Sequence, residues 1–309
     1  MSQCRRRSAR LSVFVVAIVT IVPVAGLGQD LEPRAYSASP VGTNFVVLTF
    51  LNSAGDIAVD PTIPIADARS NIQGVALGYF RSANFFGRSA SVTLVQPYSW
   101  GTAEGRLEGE LSRVYRSGVA DSKVRLAVNL FGAPAMKVEE FAKYRHRTTV
   151  GATFSFTAPT GQYDPNKLVN LGTNRWSFKP EIGLSHSFAR RWIFDAYGGV
   201  AFFTDNSQFL GKARSQDPLF STQVHLSYTL RPRLWAALDG TFYAGGQSTV
   251  GNVLNDDRVQ NVRLGGTISI PLTQHQSLKV SYSTGAIVRI GGNFRTLSVG
   301  YQYLWGGHH

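Results

Sequence analysis

The sequence predicts an all-β chain: an antiparallel transmembrane β-barrel of the bacterial outer membrane, with about twelve strands and fourteen as the alternative. Three observations carry that reading. Apolar and polar residues alternate with period two through five consecutive C-terminal segments, the pattern of strands with one apolar face. Short turns alternate with long polar loops between them, as in barrels with short periplasmic and long extracellular connections. The N-terminus reads as an export signal, and no later stretch approaches the roughly 18 apolar residues of a membrane helix.

The signal comes first. Arg5, Arg6, Arg7 and Arg10 form a basic region, Leu11 to Val22 is apolar, and Pro23 to Gly28 is rich in small residues. This three-part pattern predicts a signal peptide over residues 1–28, cleaved between 26 and 30, followed by a single barrel domain over 29–309. Cys4 lies in the basic region and not at the end of the apolar run, so a lipoprotein anchor is not expected. The mature chain has no other cysteine, so export brings no disulfide. Removing the four arginines lowers the formal net charge from +12 to +8. The remaining basic residues are scattered and no recognition motif appears, so no nucleic-acid partner is expected. Charged residues make up only 16% of the chain, sparse for a soluble surface, where about a quarter is usual.

The clearest strand runs from Phe220 to Leu230, with Phe220, Thr222, Val224, Leu226, Tyr228 and Leu230 on one face. A turn at Arg231-Pro232-Arg233 leads to Leu234–Ala244. Val262–Ile270, Leu278–Val288 and Leu297–Trp305 follow with the same alternation. A bilayer-crossing strand needs about 9–11 residues, longer than the 5–6 common in soluble sheets. Upstream, 124–130, 150–158, Trp176–Phe188 and Trp192–Thr204 read as strands, and 43–52, 71–82, 88–98 and 102–115 are further candidates. Thirteen segments conflict with the even number of single-chain bacterial barrels. The weakest is 102–115, where Glu104, Glu108 and Glu110 suit a loop. Ala135 to Tyr144 reads as a short helical or irregular connection. The turns at Ala189-Arg190-Arg191 and Leu272 to Gln276 are short. Pro159 to Asn174, Thr204 to Pro218 and Gly245 to Asp257 are long.

Backbone groups in hydrocarbon need internal partners, so the sheet must close and the last strand must pair with the first. Tyr301, Tyr303 and Trp305 then face outward near the periplasmic interface, where aromatic rings are favoured. A terminal strand closing on an aromatic also resembles the signal read by the outer-membrane assembly machinery, although Gly306-Gly307-His308-His309 follows it. Outer-membrane lipids and that machinery are the expected partners.

If the polar faces point inward, the lumen contains Lys123, Arg125, Lys179, Glu181, Asp195, His225, Asp239, Arg263, Lys279 and Arg289. These either pair and fill a narrow interior or line a wet channel and set its charge preference. Inward Trp235, Tyr243 and Tyr197 offer an apolar path or simple packing. Pairing around the 231–233 turn sets His225 opposite Asp239, with Ser227 two residues along, an arrangement used in nucleophilic catalysis and also common as a structural pair. Scattered histidines give no zinc spacing, and Gly245-Gly246 and Gly265-Gly266 lack a phosphate-loop context. Gly240, Gly265 and Gly266 fit tight barrel curvature. No cofactor is expected. The loop carrying Gly161, Tyr163, Asp164, Asn170, Asn174, Arg175 and Trp176 is a candidate lip or gate, or a structured rim.

Four stretches carry a family likeness: FTAPTGQYDPNKLVNLGTNRWSFKPEIGLSHSF at 156–188, VRLAVNLFGAP at 124–134, GYFRSANFFGRSASVTLVQPYSWG at 78–101, and VGYQYLW near the end. They resemble the meta-pathway phenol-degradation (MetA-type) family of outer-membrane transporters over nearly the whole mature chain. The resemblance implies passive uptake of small hydrophobic or aromatic compounds, without covalent chemistry. A non-conducting structural or adhesive barrel, and a barrel hydrolase built on His225, stay open as alternatives.

Overall fold

The structure, a computed structural model, describes residues 31–56, 65–107, 110–145, 147–289 and 293–307. The expected signal peptide lies outside the described residues. Seventeen strands and one short helix follow in chain order: β1 Thr43–Asp56, β2 Ile65–Phe85, β3 Arg88–Leu107, β4 Glu110–Val119, β5 Ser122–Phe131, α1 Val138–Lys143, β6 Thr148–Ala158, β7 Ser177–Phe188, β8 Trp192–Phe203, β9 Asn206–Phe209, β10 Lys212–Gln216, β11 Leu219–Arg231, β12 Leu234–Gly245, β13 Ser248–Val250, β14 Val253–Leu254, β15 Val259–Pro271, β16 Gln276–Val288 and β17 Phe294–Gly306.

The wall is a closed antiparallel barrel of twelve strands. Going round, β2, β1, β17, β16, β15, β12, β11, β8, β7, β6, β5 and β3 are neighbours, and β2 pairs with β3 to complete the ring. The last strand zips to the first over its whole length, from Thr43↔Gly306 to Gly55↔Phe294. That pairing places Leu48, Phe50, Leu297, Tyr301, Tyr303 and Trp305 on one exposed face. The outward face is apolar all round, with Val224, Leu238 and Leu264 as further exposed residues. Aromatic rings cluster towards the strand ends. Trp192 sits 4.8 Å from Tyr228 near the 189–191 turn, and Trp176 stacks on Phe178 near the long loops. Two aromatic belts around an apolar band are what an outer-membrane wall requires.

The segment 102–115 is corrected. It is neither one strand nor a loop: residues 102–107 end β3, and 110–115 begin β4, with Glu104 in β3 and Glu110 opening β4. Glu108 lies outside the described residues. β4 and β5 run along the same side of β3, with Tyr98 opposite Val119 and Val95 opposite Lys123. Four steps on one strand match three on the other, so the extra residue makes a β-bulge near Ala120-Asp121. The two pieces form one wall strand, which keeps the barrel at twelve. β4 rises beyond the end of β6, whose last rung is Ser122↔Ala158.

Two connections expected as long polar loops hold strands of their own. The 204–218 and 245–257 connections carry β9, β10, β13 and β14, which form a separate four-stranded sheet beside the mouth. The short turns are at 189–191, 232–233 and 272–275, with another at Phe86-Gly87. In the last, Phe86 and Gly87 both take positive φ, as a two-residue hairpin needs. Helix α1 falls inside the 135–144 connection.

Candidate functional site

A segment ahead of the first strand, residues 31–41, enters the barrel and ties itself to the wall. The backbone N–H of Arg34 donates to Asp195 Oδ2 on β8 at 3.0 Å, and its guanidinium donates to Thr229 Oγ1 on β11 at 2.8 Å. The same guanidinium lies 4.6 Å from the ring centre of Trp235 on β12, a cation–π contact. Ala35 N–H donates to the Tyr197 hydroxyl. Tyr36 is 1% exposed, 3.0 Å from Thr153 Oγ1 on β6, and edge-on to Tyr197. Asn129 on β5 donates to the Tyr36 carbonyl. Glu32 pairs with Arg125 on β5, and Lys279 on β16 reaches the Leu31 carbonyl. The strap therefore holds strands on opposite sides of the ring, and it stands in the bore.

Two glycines make this possible. A Cβ at Gly183 would lie 2.0 Å from the Tyr36 ring, and one at Gly151 would lie 2.1 Å from it. At the short-turn end the strap continues under a small apolar cluster of Ala38, Ala133 and Met136, with Phe141 and Tyr144 packed against it. Val41 N–H donates to the Met136 carbonyl, and the Ser82 hydroxyl donates to Pro40 O.

The charged candidates fall into separate groups. Lys123 stands on β5 opposite Thr157 and Arg125 opposite Ser155. Lys179 donates to Glu181 at 2.8 Å, and Arg125 is 3.8 Å from the other oxygen of Glu181. Asp195 is fully buried beside the strap. His225 is flanked across β11 by Asp195 on β8 and Asp239 on β12. Its Nδ1 is 2.6 Å from Asp239 Oδ1, and Thr267 donates to Asp239 Oδ2 at 2.7 Å. His225 Nε2 and Ser227 Oγ make no hydrogen bond, so the serine is not engaged by the imidazole. Arg263 is buried, donates to Phe294 O and Ser283 Oγ, and lies 4.0 Å over the Phe294 ring. It fastens β15 to β16 and β17. Arg289 stands one residue past β16, half exposed and 3.8 Å from Asp256, at the rim and not on the wall.

Two of the three aromatic candidates are occupied. Tyr197 and Trp235 hold the strap, so they do not form a bare apolar path. Gly265 serves contact more than curvature: a Cβ there would meet the Tyr282 carbonyl at 2.5 Å and Leu31 at 3.0 Å.

The 159–176 loop is folded, and Asp121 organises it. Asp121 Oδ1 accepts from Gly161 N–H, and Oδ2 accepts from Thr173 N–H and Oγ1. Asn170 bridges Asp164 and Lys167, while Asp164 pairs with Lys167 at 2.8 Å. Tyr163 and Asn174 both bond to Asn206 on β9, joining this loop to the small sheet. Burial pushes the Tyr163 hydroxyl up. Arg175 bonds to Gln216 and lies 4.5 Å over Phe203. Burial, then the nearby Arg214 charge, lowers its guanidinium to about 9. Trp176, two residues before the outward Phe178, is exposed. Hydrogen bonds thus tie the loop to Asp121 and to the small sheet.

Sequence reading missed the strap and Asp121. Their contacts are non-local: Glu32 and Arg34 meet Arg125 and Asp195, and Asp121 meets Gly161 and Thr173.

These features define a class: a twelve-strand outer-membrane barrel whose bore is crossed by its own N-terminal strap. The chain belongs to the family described as "Putative MetA-pathway of phenol degradation", whose sequence model matches residues 50–299. The COG4313 outer membrane channel from Pseudomonas putida F1 has a similar structure, with a TM-score of 0.75 and 21% identity over 89% of this chain and 100% of that one. The transport unit of the autotransporter AIDA-I from Escherichia coli aligns with a TM-score of 0.54 and 9% identity, covering 89% and 92%. The β domain of the Bordetella autotransporter BrkA gives 0.51 and 13%, covering 85% and 100%. No curated protein sequence matches the chain.

Proposed function

We propose that the protein is an outer-membrane channel for passive uptake of small hydrophobic or aromatic compounds. The observation that carries this reading is a closed barrel, in a chain of the phenol-degradation family, whose bore is walled by charged and aromatic side chains around a short strap. Lys123, Arg125, Lys179, Glu181 and Lys279 set the charge along the bore, and the 159–176 loop shapes its outer lip. Flux follows the solute gradient. No bond is made or broken: a nucleophile needs its base within hydrogen-bond reach, and Ser227 lacks that contact.

The strap also favours a second reading, a non-conducting structural barrel, because it ties opposite walls together. Planar-bilayer recording of the refolded mature protein, with and without phenol, separates the two. A stable unitary current that phenol reduces supports the channel. A silent barrel, together with unchanged phenol uptake in cells lacking the gene, favours the structural role.

A further inference from the structure

A cavity of about 470 Å³ opens near the long-loop end of β1, β2, β3, β16 and β17. Its lining includes Asp56, Arg69, Asn71, Glu104, Thr284 and Arg295. The strand alternation decides which side of the wall it occupies. Arg295 follows the face of Leu297 and Tyr301, Asp56 follows Leu48 and Phe50, and Arg69 and Asn71 follow Val75 and Leu77. Glu104 follows Tyr98 on β3, and Thr284 follows Tyr282 on β16. All those reference residues are exposed apolar or aromatic side chains of the lipid-facing wall. The cavity therefore opens outward and not into the bore. It begins two residues beyond the last apolar rung, about 7 Å further along a strand.

Charges of alternating sign cross this patch on one row of rungs: Asp56 faces Arg69, Arg69 faces Glu104, and Glu104 faces Arg113. The Arg69–Asp56 pair is 3.4 Å apart and well exposed. An exposed pair of this kind contributes little, so Arg69 is easily recruited by another anion. Arg295 makes no ion pair among the described residues. Gly55 forms part of the floor; a Cβ there would lie 2.4 Å from the Asn293 carbonyl.

This site is built for a ligand that is both anionic and rich in hydroxyl and amide groups. Two guanidiniums suit phosphate oxygens, which they grip through paired N–H donors. Carboxylates, amides and hydroxyls suit a sugar ring. The position, on the outer wall at headgroup height on the long-loop side, identifies the source. We propose that the cavity seats the phosphorylated glucosamine headgroup of the outer-leaflet glycolipid. The assignment rests on the outer-membrane placement of the barrel and is independent of which solute the bore carries.

The test uses the folded mature protein in phosphatidylcholine nanodiscs. It is exposed to hexa-acylated diphosphoryl glucosamine disaccharide or to phosphatidylglycerol, re-purified, and the retained lipid is counted by mass spectrometry. The wild type retains the glycolipid and not phosphatidylglycerol. The double variant Arg69→Ala/Arg295→Ala retains about tenfold less, the loss expected when charge-assisted contacts go. Arg81→Ala, on the same face at the short-turn end, retains as much as the wild type. Both arginines are exposed, so the double variant folds, and heat-modifiable migration checks this. Equal glycolipid retention by wild type and double variant overturns the assignment. So does equal retention of phosphatidylglycerol, which would mean plain attraction to anions. Bilayer recordings on the same samples report the solute pathway separately.

Discussion

The backbone N–H of Arg34 donates to the Asp195 carboxylate at 3.0 Å, although 161 residues separate the two in the chain. Arg34 stands on the strap and Asp195 on the wall, so this bond and the Arg34–Trp235 stack fix the strap across the bore. Deleting residues 31–36 removes the Glu32, Arg34 and Tyr36 contacts together and leaves β1 and its pairing with β17 intact. The expected outcome is a larger unitary conductance in planar bilayers, with unchanged heat-modifiable migration. Equal conductance with and without the segment would show that it does not limit flow.

The strap can also be displaced from the wall side. Gly151 and Gly183 leave the space that the Tyr36 ring fills. Alanine at both positions is overpacked against that ring, at a cost of about 1–3 kcal/mol, unless Tyr36 swings away. Gly151→Ala/Gly183→Ala is expected to conduct like the truncated chain, and adding Tyr36→Ala is expected to restore part of the lost stability, since a Cβ at Gly183 still lies 2.6 Å from Tyr197. Tryptophan fluorescence during urea unfolding measures the second effect.

The wall was legible because its signal is local and periodic. Phe220–Leu230 and Leu234–Ala244 alternate without a break, and each match to lipid or bore follows from the residue's own position in the strand. The His225–Asp239 rung was legible for the same reason, since the short turn around Pro232 sets the register, although the structure closes it on two residues with a shift between Thr229 and Arg231. What failed to show was everything set by distant partners. Glu32 and Tyr36 carry no periodicity, and their partners Arg125 and Asn129 lie more than ninety positions away. The β4–β5 break was hidden because a bulge shifts the alternation by one residue without leaving a turn signature. β9, β10, β13 and β14 are short, at two to five residues, and pair with one another across separate loops.

His225 is predicted to be structural. Its Nδ1 bonds to Asp239, whose second oxygen takes Thr267, all in the buried wall. Removing the imidazole leaves a buried Asp239 oxygen without its hydrogen-bond partner, at a cost of about 1–3 kcal/mol. His225→Ala should lower the unfolding free energy in urea by that order. Ester hydrolysis by the wild type and by Ser227→Ala should be indistinguishable from a blank; a serine-dependent rate would restore the hydrolase reading.

Asp121 is predicted to control the rim. Its carboxylate takes three hydrogen bonds from Gly161 and Thr173, and bonds to a charged group contribute about 1.5–3 kcal/mol each. Asp121→Ala should free the 159–176 loop to proteases while the barrel stays folded. A weaker effect should follow acid. The hydrogen bond from Lys167 holds the Asp164 carboxyl below its ordinary value, helped by the Asn166 N–H. A carboxyl lowered in the folded state stabilises the loop above the ordinary range near about 3.9 and loses that contribution as pH falls through its folded value. Protection of the loop should therefore hold at pH 5 and weaken only in stronger acid.

The lipid face gives a prediction that depends on depth. Leu238 is 72% exposed and lies mid-strand on β12, opposite Leu226 and Gly266 on its neighbours. Trp305 lies one residue from the end of β17, 6.3 Å from the Tyr79 ring, in the belt at the short-turn end. An arginine at the bilayer midplane costs about 2–4 kcal/mol, and near the interface about 0–1. Leu238→Arg should thus lower stability in vesicles far more than Trp305→Arg, although both side chains face outward. Equal costs at the two sites would mean that the belt is not at the interface, and the assignment of the 301–305 aromatics to that level would fall with it.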